Sequence, residues 1–225
     1  MSTALILGAS RGIGLELTRQ YLGEQWRVFA THRSEADRLV LRDMGAHTLR
    51  LDLHDSNDVA GLAWQLEGER IDVIVMNAGV YGPRDSMLTS PPNPDDFDHV
   101  MRTNVLGAMQ LMPVVAPLLF DSAGTLAFIS SRMGSITETA AGYGALYRIS
   151  KAAVNMVARL THHEYQPHGV RVLTLHPGWV RTDMGGPNAN VAVDESVAGL
   201  RDVIAQSDTY PSGGFYDYRG QAVDW

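Results

Sequence analysis

The sequence predicts an α/β fold, a single doubly wound domain on a parallel sheet of about seven strands. Three observations point there. Short apolar segments rich in β-branched residues alternate with segments of helical period along the whole chain. A glycine-rich turn, Gly8-Ala-Ser-Arg-Gly12-Ile-Gly14, joins the first strand segment to the first helical one. The length of 225 residues, without internal repeat, low-complexity tract or linker, suits one domain with a substantial core.

Each element follows from local pattern. Strands are expected at Thr3–Leu7, Arg27–Thr31, His47–Asp52, Ile71–Asn77, Thr125–Ser130 and Arg171–His176, with a last one near Gly214–Tyr216. Helices fill the intervals. In Gly12–Leu22, Ile13, Leu17 and Tyr21 recur four apart on one face. The others are Glu35–Met44, Asp55–Leu66, Asp95–Met112, Leu146–His163 and Asp194–Ala205. In Leu146–His163, the stripe Ile149, Ala153, Met156, Val157 and Leu160 is expected to face the sheet. Tyr81–Pro94, with Pro83, Pro91, Pro92 and Pro94, reads as a long loop.

Composition narrows the chemistry. Hydrophobic residues make up 45% and charged residues 19%, as in a globular chain. There is no cysteine, which excludes disulfides, thiolate nucleophiles and Cys-ligated metals. The net charge of −7 argues against a nucleic-acid partner, which needs a basic face. The apolar stretch Met112–Phe120 carries Pro113 and Pro117 and falls short of the roughly 20 residues of a membrane span, so no membrane partner is expected. No leader pattern precedes the first strand, and a cytoplasmic protein is the expectation. His162, His163 and His168, with Glu164, fit either a metal site or simple complementarity to a helix C-terminus. No metal is assigned.

Ligands of doubly wound sheets bind beyond the carboxyl ends of the strands, so chemistry is sought there. Gly8, Ser10, Arg11, Gly12, Ile13 and Gly14 form a turn whose backbone can approach a pyrophosphate at a helix N-terminus. The spacing is not that of the general dinucleotide fingerprint, and such a turn can also be purely structural. The second strand ends Thr31-His32-Arg33, without the carboxylate that would hold a ribose 2′-hydroxyl. Arg11 and Arg33 suit a 2′-phosphate, which favours NADP(H) over NAD(H); the alternative is two solvated surface arginines. Asp52-Leu53 and Asn77-Ala78-Gly79 end the third and fourth strands, as cofactor contacts or as turn punctuation. Tyr147 and Lys151 lie four apart on one helix face, where an ammonium is expected to lower the phenol pKa toward a working acid and base.

Taken in order, the glycine turn at Gly8, Asn77-Ala78-Gly79, Ser131, Tyr147-x-x-x-Lys151 and Pro177-Gly178 resemble the short-chain dehydrogenase/reductases over essentially the whole chain. Within them, Ser-Ser-Arg-Met-Gly-Ser and the short C-terminal region look most similar to small carbonyl reductases of the sniffer and C-factor type. The resemblance implies a Rossmann fold in which Tyr147 exchanges a proton with a carbonyl oxygen while a nicotinamide exchanges hydride with its carbon. Lys151 matches the lysine that binds the nicotinamide ribose, Ser131 the serine on the carbonyl oxygen, and Asn104 the asparagine of a proton relay. Ser131 is preferred to Ser130 as the second of the pair before Gly134, although its interval to Tyr147 is longer than the family's usual one. Pro177, Gly178, Val180 and Thr182 match the segment around the carboxamide, and the short loop at about 181–193 matches the one that folds over substrate.

The implied function is an NADPH-dependent oxidoreductase acting on a small-molecule carbonyl or alcohol, with homo-oligomers through the long helices as the family commonly forms. Met133, Met184, Trp179, Tyr143, Tyr216 and Tyr218 are candidates for the pocket wall. The alternative is a nucleotide-binding signalling or scaffold protein on the same fold. A sugar-nucleotide epimerase or dehydratase fits poorly, because too little chain follows Gly178 for a separate substrate domain.

Overall fold

The computed structural model describes residues 1–225. The strands are β1 (Thr3–Leu7), β2 (Arg27–His32), β3 (His47–Arg50), β4 (Val73–Met76), β5 (Thr125–Ile129), β6 (Arg171–His176) and β7 (Gly214–Asp217). The helices are α1 (Gly12–Gly23), α2 (Glu35–Asp43), α3 (Ser56–Gln65), α4 (Pro94–Met101), α5 (Gly107–Val115), α6 (Ala145–Tyr165) and α7 (Val193–Ala205). All seven strands form one parallel sheet in the order β3-β2-β1-β4-β5-β6-β7. Strand order reverses between β1 and β4, which opens a crevice beyond their carboxyl ends.

Alternate strand residues feed two cores, because successive Cβ atoms point to opposite faces. Ala4, Ile6, Val28, Val75 and Leu173 pack with Leu17 and Tyr21 of α1 and Leu200 and Ile204 of α7. Leu5, Leu7, Ile74 and Phe128 pack on the other face with Leu62 of α3, Leu111 of α5 and Val157 of α6. No helix is long and apolar enough to cross a membrane.

Several boundaries differ from the sequence reading. β3 stops at Arg50, because the Asp52 N–H donates to Asp58 Oδ2 while the Asp52 carboxylate accepts the His54 N–H. The single helix expected at Asp95–Met112 is interrupted by a wide π turn at Arg102–Leu106, and α5 carries Pro113 without ending there. The α6 stripe is the largest correction. Of its five residues Val157 is buried and Ala153 half-buried, but Ile149, Met156 and Leu160 are exposed, whereas Leu146, Tyr147, Ser150, Lys151, Val154 and Asn155 are buried. The helix turns polar chemistry inward beside its apolar residues, so hydrophobicity alone places the buried face only in part.

Beyond β7 the chain doubles back. The Asp217 N–H donates to the Gln221 carbonyl and the Val223 N–H to the Phe215 carbonyl, so residues 221–223 line part of the β7 edge in antiparallel sense.

Candidate active site

The crevice floor is glycine because nothing larger fits. Gly8 has φ +89°, and a Cβ there would sit 2.7 Å from the Ala78 Cα; a Cβ on Gly14 would sit 2.0 Å from the Gly8 carbonyl oxygen. Asn77 Nδ2 donates to that same oxygen at 2.7 Å, and the Gly8 N–H donates to Thr31 Oγ1 at 2.8 Å. The first turn is thereby locked onto the ends of β2 and β4. Helix α1 then opens after an extended Arg11, with no capping side chain and no acidic residue in its first turn. Its leading N–H groups have no side-chain acceptor, which is the donor set an anionic phosphate needs. Ser10, Gly12 and Ile13 are half-buried around this turn, and Arg11 and Arg33 are exposed at its rim. Thr182 closes over it, its methyl 3.3 Å from where a Gly12 Cβ would be. His32 is buried beside Arg33 with Nδ1 unpartnered. Leu53 packs against Gly107. These residues fit a dinucleotide with a 2′-phosphate.

The reactive groups gather where β5 ends against α6. Ser130 Oγ donates to Asn155 Oδ1 at 2.5 Å, and Asn155 Nδ2 donates to the Gly134 carbonyl at 3.2 Å. Ser130 is thus tied into α6. Ser131, also buried, accepts the Met133 N–H at 3.1 Å and lies within reach of the Tyr147 phenol. Gly134 is pressed onto the helix, where a Cβ would lie 2.7 Å from the Lys151 carbonyl carbon.

Tyr147 and Lys151 are both buried, one turn apart on the inward face of α6. Lys151 Nζ donates to the Ile129 carbonyl at 2.9 Å and lies 5.6 Å from the Tyr147 ring centroid. Burial pushes the lysine down to about 8. The phenol moves opposite to the direction expected from the i,i+4 spacing. Burial raises it, the Ser131 side chain pulls it back, and Tyr81 beside it raises it further. With Lys151 bound to a carbonyl, desolvation of the phenol wins.

Asn104 sits in the π turn with its side chain fully engaged. Its Oδ1 accepts the Val80 N–H at 2.8 Å, and its Nδ2 donates to the Val80 carbonyl and to Ser150 Oγ, each at 2.9 Å. A Gly79 Cβ would lie 3.2 Å from Asn104 Oδ1 and 3.6 Å from Lys151 Nζ, so these three residues form one cluster. On the far side, Gly178 has φ +86°, the Pro177 carbonyl accepts from Ser196 Oγ, and Val180 pairs with Val191. Two residues absent from the sequence reading belong here. Asn155 falls four residues after Lys151 on the same face, a polar spacing that carries the signal; Tyr81, in the loop after β4, gives none.

The histidines near the end of α6 do not converge. His162 Nδ1 lies 3.0 Å from Ser212 Oγ, while the His168 ring stacks on Phe120. No group of three or more His, Cys, Asp or Glu side chains is arranged to hold a metal ion.

The profile of the family described as short chain dehydrogenase matches residues 2–191. The C-signal protein of Myxococcus xanthus is 38% identical over 159 residues, which cover 69% of this chain and 93% of that protein. A short-chain dehydrogenase/reductase from Burkholderia multivorans with bound NADP has a TM-score of 0.92 at 32% identity, covering 100% of this chain and 99% of that one. Carbonyl reductase Sniffer of D. melanogaster has a TM-score of 0.91 at 28% identity, over 100% of both chains.

Proposed function

Because this chain belongs to the short-chain dehydrogenase/reductase family, as an oxidoreductase of the sniffer and C-factor type, we propose that it interconverts a carbonyl and its alcohol with NADP(H). The observation that carries this is the buried Tyr147, with Ser131 within reach of its phenol and Lys151 one turn away on the same helix face. NADP(H) is favoured over NAD(H) by Arg11 and Arg33 at the crevice rim, by the absence of a carboxylate at the end of β2, and by the NADP-bound neighbour.

The nicotinamide, when bound, supplies the hydride for reduction and accepts it for oxidation. Tyr147 gives its proton to the carbonyl oxygen during reduction and takes it back during oxidation. A raised phenol pKa keeps that proton available at neutral pH. Ser131 donates a hydrogen bond to the same oxygen as negative charge builds on it. Lys151, still mostly protonated at neutral pH, keeps positive charge near the developing phenolate. Asn104 holds the loop after Gly79 against α6 through Val80 and Ser150, which fixes the cofactor side of the site.

Replacing Tyr147 by Phe removes the proton donor without removing the crevice. Turnover of an aldehyde and ketone panel is expected to fall by at least about a hundredfold, while NADPH binding followed by fluorescence is retained. Normal turnover in that variant would sink the mechanism. The second reading, a nucleotide-binding signalling protein, draws on the likeness to C-signal. Tight NADPH binding with no turnover of any carbonyl by the wild-type protein would favour it.

The same reading includes self-association. Leu106 and Met109, on and beside α5, and Ile149, Met156 and Leu160 of the neighbouring α6 are exposed apolar side chains. An unpartnered face of this kind on paired helices is where two copies are expected to meet.

A further inference from the structure

The loop after β4 lays an aromatic ring on the reacting group. Tyr81 stacks on Tyr147 with ring centroids 4.4 Å apart and planes 16° from parallel. One face of Tyr81 is thereby covered by Tyr147. The Arg84 guanidinium lies over the same ring, 5.2 Å from its centroid. Arg84 Nη2 in turn donates to the Met184 carbonyl at 2.6 Å, on the loop between Val180 and Val191. The tip of Tyr81 is held as well. Its hydroxyl meets Met133 Sδ at 3.9 Å and approaches Gly144 so closely that a Cβ there would come within 2.7 Å of it. Gly144 adopts φ 67° at the start of α6, three residues before Tyr147.

We propose that Tyr81 is a positioning residue for Tyr147, its stacked ring fixing the direction of the phenol, and that Arg84 ties this ring to the loop over the substrate. The proposal rests on Tyr147 being the proton donor. The side chain of Tyr147 is buried, and the direction of its phenol is set by what packs on its ring. The near-parallel Tyr81 ring, itself tied by Met133 and Arg84, narrows that direction. Proton transfer is sensitive to misplacement of about 1 Å, so the stack bears on rate more than on affinity. Burial holds the Tyr147 phenol up, and the Tyr81 ring packs against it, so opening that face to water is expected to bring ionisation to lower pH.

The test compares the wild type with Tyr81→Phe, Tyr81→Leu, Arg84→Gln and Tyr147→Phe, each with NADPH and a carbonyl that the wild type reduces. Tyr81→Phe keeps the stack and is expected within about twofold of wild-type kcat. Tyr81→Leu is expected to lose about tenfold in kcat with KM for NADPH unchanged, and to shift the alkaline limb of the reduction profile to lower pH. Arg84→Gln, at an exposed position that folding tolerates, is expected to lower kcat by a smaller factor, with KM for NADPH unchanged. Wild-type kcat and pH profile in both Tyr81→Leu and Arg84→Gln would overturn the proposal. So would a Tyr81→Phe enzyme as impaired as Tyr81→Leu, since the hydroxyl would then be the acting group. Fluorotyrosine at position 147 gives a readout without turnover: its fluorine NMR line should stay narrow in Tyr81→Phe and broaden or shift in Tyr81→Leu, and an unchanged line overturns the stack's role. An inactive wild type, or an active Tyr147→Phe, counts instead against the proposed reaction.

Discussion

His176 shows how one half-buried side chain with a buried, unpartnered ring nitrogen sets a pH dependence for the whole protein. Its Nδ1 has no partner, and burial pushes its pKa down to about 4, with Arg132 adding to the effect and Asp217 opposing it. Between that value and the ordinary histidine value, the unfolded chain binds a proton that the folded chain refuses. Stability therefore falls as pH drops through that window, by up to about 3 kcal/mol. Urea unfolding from pH 7 to pH 4 should show this slope, and His176→Gln should flatten it. Lys151 follows the same sign higher up. Its depressed pKa makes stability rise with pH between about 8 and its ordinary value, until ionisation of the buried Tyr147 and Tyr21 phenols reverses the trend. The pairing of Tyr147 with Lys151 was legible because i,i+4 spacing places two residues on one face in any helix. The direction of the phenol's pKa was not legible, since it depends on burial and on Lys151 turning to the Ile129 carbonyl. Tyr81 was invisible for a related reason: a loop residue has no periodicity to betray its partner.

The glycine turn and helix α6 show the same limit at larger size. The strand-turn-helix was readable because a close backbone approach demands glycine, and the contacts bear that out at Gly8 and Gly14. Gly14→Ala is expected to destabilise by about 1–3 kcal/mol through overpacking and to weaken NADPH binding. Gly142→Ala, where a Cβ meets nothing within 4 Å, should do neither. Thermal melts and a fluorescence titration of both variants check this contrast. In α6 the periodicity gave the helix but only part of its buried face, Val157 inside and Ile149, Met156 and Leu160 outside. Tyr147, Ser150, Lys151 and Asn155 are polar and buried, while Ile149, Met156 and Leu160 are apolar and exposed. A burial rule fails where a helix turns a reactive face inward and, on our reading, an oligomer face outward. The π turn at Arg102–Leu106 was likewise unreadable, because nothing in Arg-Thr-Asn-Val-Leu differs in period from an ordinary helix.

For the assembled molecule, the outward face of α5 and α6 gives the prediction. Introducing Met156→Lys with Leu160→Glu should shift sedimentation toward the monomer without lowering the melting temperature, because neither side chain belongs to the core. A wild type that sediments as a monomer at micromolar concentration would remove the idea. Seven strands in one parallel sheet were predictable from the alternation of elements, since parallel neighbours need a crossover of a dozen or more residues; their order was not. Their exact ends depended on side-chain hydrogen bonds such as that of Asp58 to Asp52.

The doubled-back segment after β7 has a kinetic side. The Trp225 carbonyl accepts the Thr137 N–H at 2.9 Å and Ser135 Oγ at 3.3 Å, pinning the loop that follows Ser131. Ser135 and Trp225 are 90 residues apart in sequence, so this restraint on the loop forms only after a very long closure. In refolding from denaturant, helical signal should return before the loop beside Ser131 is fully set. Enzyme activity should then lag behind secondary structure, and the lag should measure how long Trp225 takes to find its place.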